Sequence, residues 1–424
     1  GIWSYCTLCV RAVVQPEQAV ATRGPVSPAI PAASQITCVA PSNPATIRLP
    51  LSTPAASSYL FLAYPLAILA ARSWDQRWLL ERFVELYFAP ERGLKVHTHA
   101  ACTSALMHRV YDANFPGIRQ KRVDPRHQSG CPLRALRRHL RDGIYPQVDV
   151  DMNRLHPGSR GGPWLHEILI CGTDQTRFEV YAFKGDGLLR GGWQLRQWWI
   201  EEADLLAALQ IDGPALLDAA RSRGEDLPRW LIKDWSARPL WILHQFTTEQ
   251  RPDGTRGNNG VSDPVIEDAD DPRARPDAST VLDQLALYLG NDRPARAGID
   301  ELPVDTHWGH AAQLALAMTI RQSGHIPVIC LRLWWEHKRV MAQRVRWLAN
   351  LNDAQSAHKR VVEQMAELAR EAGRLRLIAL RHSRSTRSSP DRCHETGPEQ
   401  VASGIERVAE TERLLLRQIL RRLR

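Results

Sequence analysis

One histidine, His166, begins the apolar run HEILICGTD at residues 166–174. An imidazole beside a buried strand can act as a general base, because its pKa lies close to neutrality. A cysteine nucleophile needs such a base, since the thiolate rather than the thiol attacks a carbonyl carbon. His166 is therefore a candidate catalytic residue, and its alternative is a structural role at the entry of a buried hairpin.

The cysteines supply the candidate nucleophiles. Cys102 lies among three histidines in HTHAACTSALMHR, which makes it a second candidate catalytic residue, although an ordinary semi-buried thiol fits the same pattern. Cys171 follows His166 by five positions, and an odd offset places two side chains on opposite faces of a strand. The spacing of the eight cysteines matches no zinc site, so we expect no metal or other cofactor.

Five charged residues are candidate binding residues. Asp149 and Asp151 alternate with valines in IYPQVDVD, which predicts that both carboxylates lie on the polar face of a strand. Asp174 stands in a Gly-Thr-Asp turn, where shaping the turn is its alternative role. Glu336 and Lys338 could line a groove between two domains, and the alternative is a bundle helix whose charged face is solvated or salt-bridged.

The elements that position these residues begin near residue 57. SSYLFLAYPLAILAARS and SWDQRWLLERFVELYF have helical spacing, and PLRALRRHLRDG predicts a short basic helix that ends at Gly143. IYPQVDVD predicts a strand. HEILICGTD and RFEVYAFKGDG predict a hairpin whose turn covers residues 172–177. LRQWWIEEADLLAALQ is predicted as one helix.

These elements predict an α+β domain with an antiparallel sheet, followed by an α-helical C-terminal domain. Residues 1–56 are rich in Pro, Ala and Ser and are predicted to be disordered. The α+β domain covers residues 57–246, and the polar, Gly- and Pro-rich residues 247–279 are predicted as a flexible linker. Amphipathic segments fill residues 280–424, with a Ser/Arg-rich break around residues 383–397.

The net charge of +9 is concentrated in two places, residues 134–141 and residues 417–424. Zinc-finger spacing, an RNA-binding aromatic signature and a basic zipper are all missing from the sequence, so solvated helix faces explain the charge better than nucleic-acid binding. No apolar run reaches the roughly 18 residues that a membrane span needs. Together with the dispersed cysteines, these features predict a protein of the cytoplasm with reduced thiols.

Five motifs follow one another in a characteristic order: LFLAYPLAILAA, WLLERFVELYF, LRDGIYPQVDVD, HEILICGTDQTRFEVYAF and LWWEHKRVMAQRVRWL. It resembles a bacterial family whose genes lie in nonribosomal-peptide and related natural-product clusters, and the resemblance covers residues 58–424. The first domain is similar to the N-terminal part of the butirosin biosynthesis protein H group. That group resembles the bacteriocin-processing cysteine peptidases, so the resemblance implies a papain-like fold.

In these related enzymes a cysteine opens the first long helix, a histidine starts the central strand, and a carboxylate or amide on the next strand orients the histidine. His166 matches the histidine. Tyr64-Pro65 stands where Cys-Gly would be expected, and Ala182 stands where an aspartate would be. The resemblance therefore implies a degenerate site, in which His166 lines a binding cleft and fast acyl transfer is not expected.

The resemblance implies an accessory protein of natural-product biosynthesis that binds or processes a carrier-tethered acyl or peptidyl intermediate. Its partner would be an acyl or peptidyl carrier protein. Such carriers have an acidic surface, which would be complementary to a basic protein. Two alternatives stay open at this stage. One is an active acyltransferase, thioesterase or peptidase-like enzyme that uses His166, and the other is a basic nucleic-acid-binding protein.

Overall fold

The computed structural model describes residues 46–83, 86–89, 93–96, 115, 117–125, 130–155, 165–184, 194–211, 218, 241–247, 275–290, 305–351, 355–388 and 396–423. The strands are β1 (Ile47–Arg48), β2 (Leu86–Ala89), β3 (Gly93–Val96), β4 (Ile118–Val123), β5 (Ile144–Asp151), β6 (Leu165–Thr173), β7 (Arg177–Lys184), β8 (Gln194–Glu201), β9 (Trp241–Phe246) and β10 (His307–Trp308). The helices are α1 (Leu60–Ala70), α2 (Asp75–Arg82), α3 (Pro132–Arg141), α4 (Met152–Leu155), α5 (Glu202–Leu209), α6 (Ala278–Gly290), α7 (Gly309–Ser323), α8 (Val328–Leu351), α9 (Gln355–Ser388) and α10 (Thr396–Leu423).

The larger sheet is antiparallel, with the strand order β4-β9-β5-β6-β7-β8 and with β1 added to the far end of β6. The predicted hairpin is confirmed, because β6 pairs with β7 and Leu169 faces Tyr181. β10, β2 and β3 form a second, smaller sheet. The predicted class is confirmed at this level: helices mix with antiparallel sheet in the first part of the chain, and helices follow.

Side-chain alternation divides the larger sheet into two packed faces. On one face Val148, Ile168 and Val180 are buried beneath α3 and α5. On the other face Tyr145 and Leu169 pack against α1. The valines of IYPQVDVD therefore face the core as predicted, and the central strands of the sheet have packed helices on both sides.

The N-terminal boundary of the ordered chain lies earlier than predicted. Ile47 pairs with Thr173 in β6, and Ala56 is fully buried, so the prediction of disorder is wrong for residues 46–56. The composition of this segment does not predict β1, because so short a strand forms wherever it can pair with an open stretch of a sheet strand, here β6. Gly172 allows the close approach, since a Cβ there would lie 2.9 Å from the carbonyl oxygen of Ile47. Residues 1–45 lie outside the described residues.

Two segments that are predicted as helices each contain a strand as well as a helix. SWDQRWLLERFVELYF forms α2 and then continues as β2, which pairs with β3 and β10. LRQWWIEEADLLAALQ forms β8 along the whole of β7 and becomes helical only at α5. Both segments contain aromatic residues at spacings that suit either element, and sheet partners distant in sequence select the strand.

The C-terminal helices occur where the sequence places them, but they do not form a separate core. One hydrophobic cluster contains residues of α1, α2 and β2 together with residues of all the helices from α6 onward. Arg344 of α8 crosses the predicted boundary, because its guanidinium donates to the carbonyl oxygens of Leu79 and Leu80, each at 2.7 Å. The predicted linker at 247–279 therefore does not separate two independent cores, and residues 248–274 lie outside the described residues.

The helical break predicted around residues 383–397 begins later than expected, because α9 continues to Ser388. Val361, Met365, Leu368, Ala372 and Leu375 are the apolar residues whose spacing predicts one stripe on this helix, and all of them are buried except Leu368, which is half-buried. Among the described residues, no helix combines the length and the apolar character that crossing a membrane requires.

Candidate functional site

His166 lies at the start of β6, opposite Val150 of β5. Its Nδ1 donates a hydrogen bond to the carbonyl oxygen of Glu167 at 3.0 Å, so in the neutral ring Nε2 is the basic nitrogen. The ring meets Phe183 edge to face, with centroids 6.1 Å apart. Desolvation lowers the pKa of His166 despite the opposing effect of the carbonyl, so the imidazole is neutral at pH 7.

Tyr64 stands at the position where the resemblance predicts a cysteine. Its hydroxyl is buried and donates to the same Glu167 carbonyl oxygen, at 2.8 Å. Desolvation, reinforced by the charge of Glu167, raises the pKa of this phenol well above its ordinary value. A neutral phenol held by a backbone carbonyl is a poor nucleophile. The first turns of α1 therefore lie close to the backbone beside His166, but Tyr64 is not a reactive nucleophile there.

Ala182 occupies the place of the orienting carboxylate. It is fully buried in the core that includes Phe178 and Val180, and it contributes only a methyl group there. No carboxylate replaces it at that position of β7. The arrangement around His166 thus contains the histidine of the expected set without its nucleophile and without its orienting acid.

The environment of Cys171 makes its thiol unreactive. It packs on the α1 face with Tyr64, Tyr145 and Tyr181, which confirms the opposite-face prediction, since Ile170 lies in the other core. Burial raises the pKa of its thiol to about 12. Because the thiolate is the reactive form, the thiol cannot serve His166 as a nucleophile.

We expect native Cys171 to resist alkylation by iodoacetamide at pH 8. A pKa of about 12 leaves about one thiol in 10,000 ionised at that pH, and burial blocks access as well. Peptide mass spectrometry after timed quenching measures the labelled fraction, and the urea-unfolded protein is the control that must label fully. Rapid labelling of Cys171 in the native protein would contradict the buried placement.

A polar cluster lies where the start of α1 meets α8, and we call it the junction cluster: Ser57, Ser58, Arg332 and Glu336. Glu336 accepts hydrogen bonds from the Ser58 backbone N–H at 3.0 Å and from the Ser58 hydroxyl at 2.5 Å. Ser57 donates to the other carboxylate oxygen at 3.0 Å. Arg332 completes the cluster with a bond to the Ser57 hydroxyl at 2.7 Å. A carboxylate is stabilised here because it lies at the N-terminus of a helix.

The junction cluster reaches His166 through Phe183. The guanidinium of Arg332 lies 5.4 Å from the centroid of the Phe183 ring, whose edge-to-face partner is His166. On the other side, Arg376 lies over Trp335 at 4.8 Å. Desolvation lowers the pKa of Arg376, and the nearby charge of Arg332 lowers it further. Arg332 therefore contacts the sheet through Phe183, and the charge of Arg376 from the neighbouring helix acts on the same region.

The predicted binding residues are dispersed over the fold. Asp149 faces Glu167 across the strands, on the α1 side of the sheet. Asp151 caps the turn that leads into α4 through the Asn153 N–H, at 3.0 Å. Asp174 has its turn-shaping role, because it accepts from the Thr176 and Arg177 backbone N–H groups at 3.0 and 2.7 Å.

Glu336 and Lys338 are both buried, and the structure does not bring them together. Lys338 points into the helical bundle, where its Nζ lies 2.5 Å from Glu412 and 3.1 Å from the hydroxyl of Tyr288. Of the two, only Glu336 lies at the seam with the sheet. Neither side chain is on a solvated helix face, and both are salt-bridged, Lys338 to Glu412 and Glu336 to Arg332 at 3.3 Å.

The other cysteines differ in their state. Cys102 and its neighbouring histidines lie outside the described residues. Cys131 is disulfide-bonded, so the prediction that the thiols are reduced is wrong for this residue, whereas Cys171 and Cys330 are free. Within the part of the chain that the structure describes, no group of three or more His, Cys, Asp or Glu side chains could hold a metal ion.

The sequence missed Arg332 and Arg376 as site residues. Arg332 directly precedes LWWEHKRVMAQRVRWL and Arg376 lies in EAGRLRLIAL, and nothing in either segment distinguishes them from ordinary charged helix positions. Arg332 contacts Ser57 and Phe183, which belong to distant parts of the chain, and Arg376 lies over Trp335 of another helix.

No protein-family model matches the chain, and no curated protein is significantly similar to it in sequence. The geometry of the junction cluster and of His166 is therefore the basis for the function proposed below.

Proposed function

We propose that the protein is an accessory component of natural-product biosynthesis that binds a carrier-tethered acyl or peptidyl intermediate without transforming it. The observation that carries the proposal is the position of Arg332, which bonds to Ser57 and pairs with Glu336 in the junction cluster and also lies over Phe183, the ring partner of His166. A guanidinium favours a phosphate or carboxylate, and aromatic rings favour an apolar chain. A phosphopantetheine arm with its acyl group combines these two chemistries.

The same geometry favours binding over chemistry. A thioester-cleaving enzyme of the expected type needs an activated thiol or hydroxyl within hydrogen-bond reach of the histidine. Tyr64 is engaged by a backbone carbonyl, Ala182 has no polar group, and Cys171 is protonated. Within a papain-like arrangement, which we propose for the sheet and α1, these substitutions remove the nucleophile and the orienting acid while keeping the histidine.

The test uses an acyl carrier protein loaded with an octanoyl thioester, and the matched carrier without its arm. We expect the parent protein to bind the loaded carrier more tightly than the arm-free carrier in isothermal titration calorimetry. Arg332→Ala should weaken binding of the loaded carrier by about tenfold, a usual effect of removing a buried arginine anchor. Arg346→Ala, an exposed change on the same helix, is the control and should have no effect.

Turnover is measured in the same samples by the release of thiol from the loaded carrier. We expect no release above the carrier-only rate in the parent or in His166→Ala. Robust release by the parent that collapses in His166→Ala, with binding retained, would show an active acyl-transfer enzyme with Nε2 as its base. Equal affinity for loaded and arm-free carrier would overturn the binding proposal. Phe183→Leu is a second test of the site if Arg332→Ala fails to fold.

A further inference from the structure

Trp335 of α8 contacts two guanidiniums where α8 packs against α9. The guanidinium carbon of Arg376, on α9, lies 4.8 Å from the centroid of the Trp335 ring, and that of Arg339, one turn farther along α8, lies 5.0 Å from it. Gly373 of α9 permits the indole to lie this close to the neighbouring helix, because a Cβ there would come within 3.0 Å of Trp335 Nε1. We call Trp335, Arg339 and Arg376 the arginine–tryptophan site.

The two cations of this site have no partner of opposite charge in the described part of the chain. Neither Arg339 nor Arg376 forms a hydrogen bond or an ion pair there, and the Nε atom of Arg376 is buried without an acceptor. Arg332, by contrast, pairs with Glu336 at 3.3 Å. The pKa of Arg376 is lowered by desolvation first and by the charge of Arg332 second, against the opposing charge of Glu336. Among the described residues, Arg376 is thus an unpaired cation in a partly desolvated position.

The two glutamates that most closely precede this site on α9 are engaged by other arginines. Glu371 pairs with Arg374 at 2.7 Å and with Arg407 at 3.0 Å. Glu367 pairs with Arg370. These acids therefore do not neutralise the arginine–tryptophan site, and its positive charge is available to an anionic ligand.

We infer that the arginine–tryptophan site binds a phosphate ester. This phosphate subsite rests on the proposed function and deepens it, because a phosphate ester joins a pantetheine arm to its carrier. A guanidinium donates charge-assisted hydrogen bonds in a fork that matches the oxygens of a phosphate. A phosphate diester has two non-bridging oxygens, so Arg339 and Arg376 can each bind one of them. The side chain of Arg339 is exposed and can turn toward an incoming ligand.

The arginine–tryptophan site adjoins the part of α8 that contacts the Phe183–His166 ring pair. Arg332 and Trp335 are three positions apart on α8, so they are neighbours on one face of that helix. Arg332 in turn lies over Phe183, the ring partner of His166. A ligand that extends from the arginine–tryptophan site past Arg332 therefore has its phosphate at the unpaired cations and its acyl group at the aromatic rings.

The experiment compares two probes that differ only in the phosphate, S-octanoyl-4′-phosphopantetheine and S-octanoyl-pantetheine. We expect the parent to bind the phosphorylated probe about tenfold more tightly in isothermal titration calorimetry, which is the effect of about one hydrogen bond between charged groups. Arg376→Gln should remove this preference and leave the affinity for the phosphate-free probe unchanged. Arg339→Gln should only reduce the preference, because an exposed cation interacts more weakly in water.

Arg360→Gln is the matched control, because it removes the same charge from an exposed position of α9. Its position lies about 24 Å along the helix from Arg376, so this variant should keep the tenfold preference. Equal affinity of the parent for the two probes would overturn the phosphate subsite. An equal loss of the preference in Arg360→Gln and Arg376→Gln would overturn it as well, because the response would then follow overall charge alone.

Circular-dichroism melts check the fold of each variant. Arg376→Gln removes a cation that has no ion pair among the described residues, so its melting temperature should match or exceed that of the parent. If this variant fails to fold, Arg339→Gln serves as the test, because it changes an exposed side chain. Equal weakening of both probes by a folded Arg376→Gln protein would show that the guanidinium only supports the shape of the site, and the phosphate subsite would be wrong.

The octanoyl-loaded carrier distinguishes the source of the phosphate and separates the two proposals. If the arm is the ligand, Arg376→Gln should weaken the loaded carrier by the same factor as the free phosphorylated probe and leave the arm-free carrier unchanged. Weakening of the free probe alone would remove the carrier as the source and assign the site to a free phosphorylated metabolite. The proposed function fails if the parent does not prefer the loaded to the arm-free carrier, whereas the phosphate subsite fails if the parent does not distinguish the two octanoyl probes.

Discussion

Replacing Lys338 with methionine is expected to lower the unfolding free energy by about 3–5 kcal/mol, because it leaves Glu412 charged and unpaired in the interior. Both side chains are buried, and their ion pair has an N–O distance of 2.5 Å. Tyr288 and Gln313 also donate to the same carboxylate oxygen, at 2.6 and 3.1 Å, but neither supplies a positive charge. Urea denaturation at pH 7 measures the change.

Two comparisons show whether the buried charge is the cause. The double variant Lys338→Met with Glu412→Leu should be more stable than Lys338→Met alone, because no unpaired carboxylate remains. Arg370→Met, which removes the exposed ion pair with Glu367, should have little effect, since exposed pairs contribute little to stability. A Lys338→Met protein as stable as the parent would show that the buried pair contributes nothing net.

Stability is expected to fall by about 3 kcal/mol between pH 6.5 and pH 4 because of one residue, His244. This histidine of β9 is fully buried, and desolvation lowers its pKa to about 3. Its Nε2 donates to Gln147 at 2.7 Å, and its Nδ1 accepts from Gln120 at 3.1 Å, so the neutral ring satisfies both partners. A second ring proton would face the amide donor of Gln120.

The direction of this pH dependence follows from the pKa of His244 in the unfolded chain and in the folded protein. The unfolded chain protonates this histidine near pH 6.5, whereas the folded protein resists protonation until about pH 3. The contribution is therefore fully present above pH 6.5, and about 1.4 kcal/mol is lost for each pH unit below it. His166 and His139 also have lowered pKa values and add to the slope, so the measurement compares the parent with His244→Gln.

The glutamine variant should be less stable than the parent at pH 7, and its stability should depend less on pH between 6.5 and 4. Urea denaturation curves at half-unit pH intervals give both quantities. A parent and a variant with the same slope would show that His244 protonates in the folded protein near its ordinary pKa, and the buried neutral ring would then be excluded.

Local patterns in the sequence are enough to predict the elements whose residues follow a strand or helix period. The alternation in IYPQVDVD, the hairpin of HEILICGTD with RFEVYAFKGDG and the helical periods from residue 280 onward all predicted structure that is present, although the turn is shorter than predicted because Gly172 and Thr173 belong to β6. Each of these signals is local, since burial on one face of a strand or helix imposes the period directly. The same locality explains why the opposite-face placement of Cys171 was predictable.

Contacts between distant parts of the chain, which no local pattern encodes, account for the strands β2 and β8, the pairing of β1 and the composition of the candidate site. β8 is a strand because β7 lies beside it, and its aromatic residues alone permit a helix as well. Ser57 and Glu336 are 279 positions apart, and Lys338 and Glu412 are 74 apart. No local period encodes such pairs, because a buried charge is tolerated only where distant elements of the fold deliver its partner.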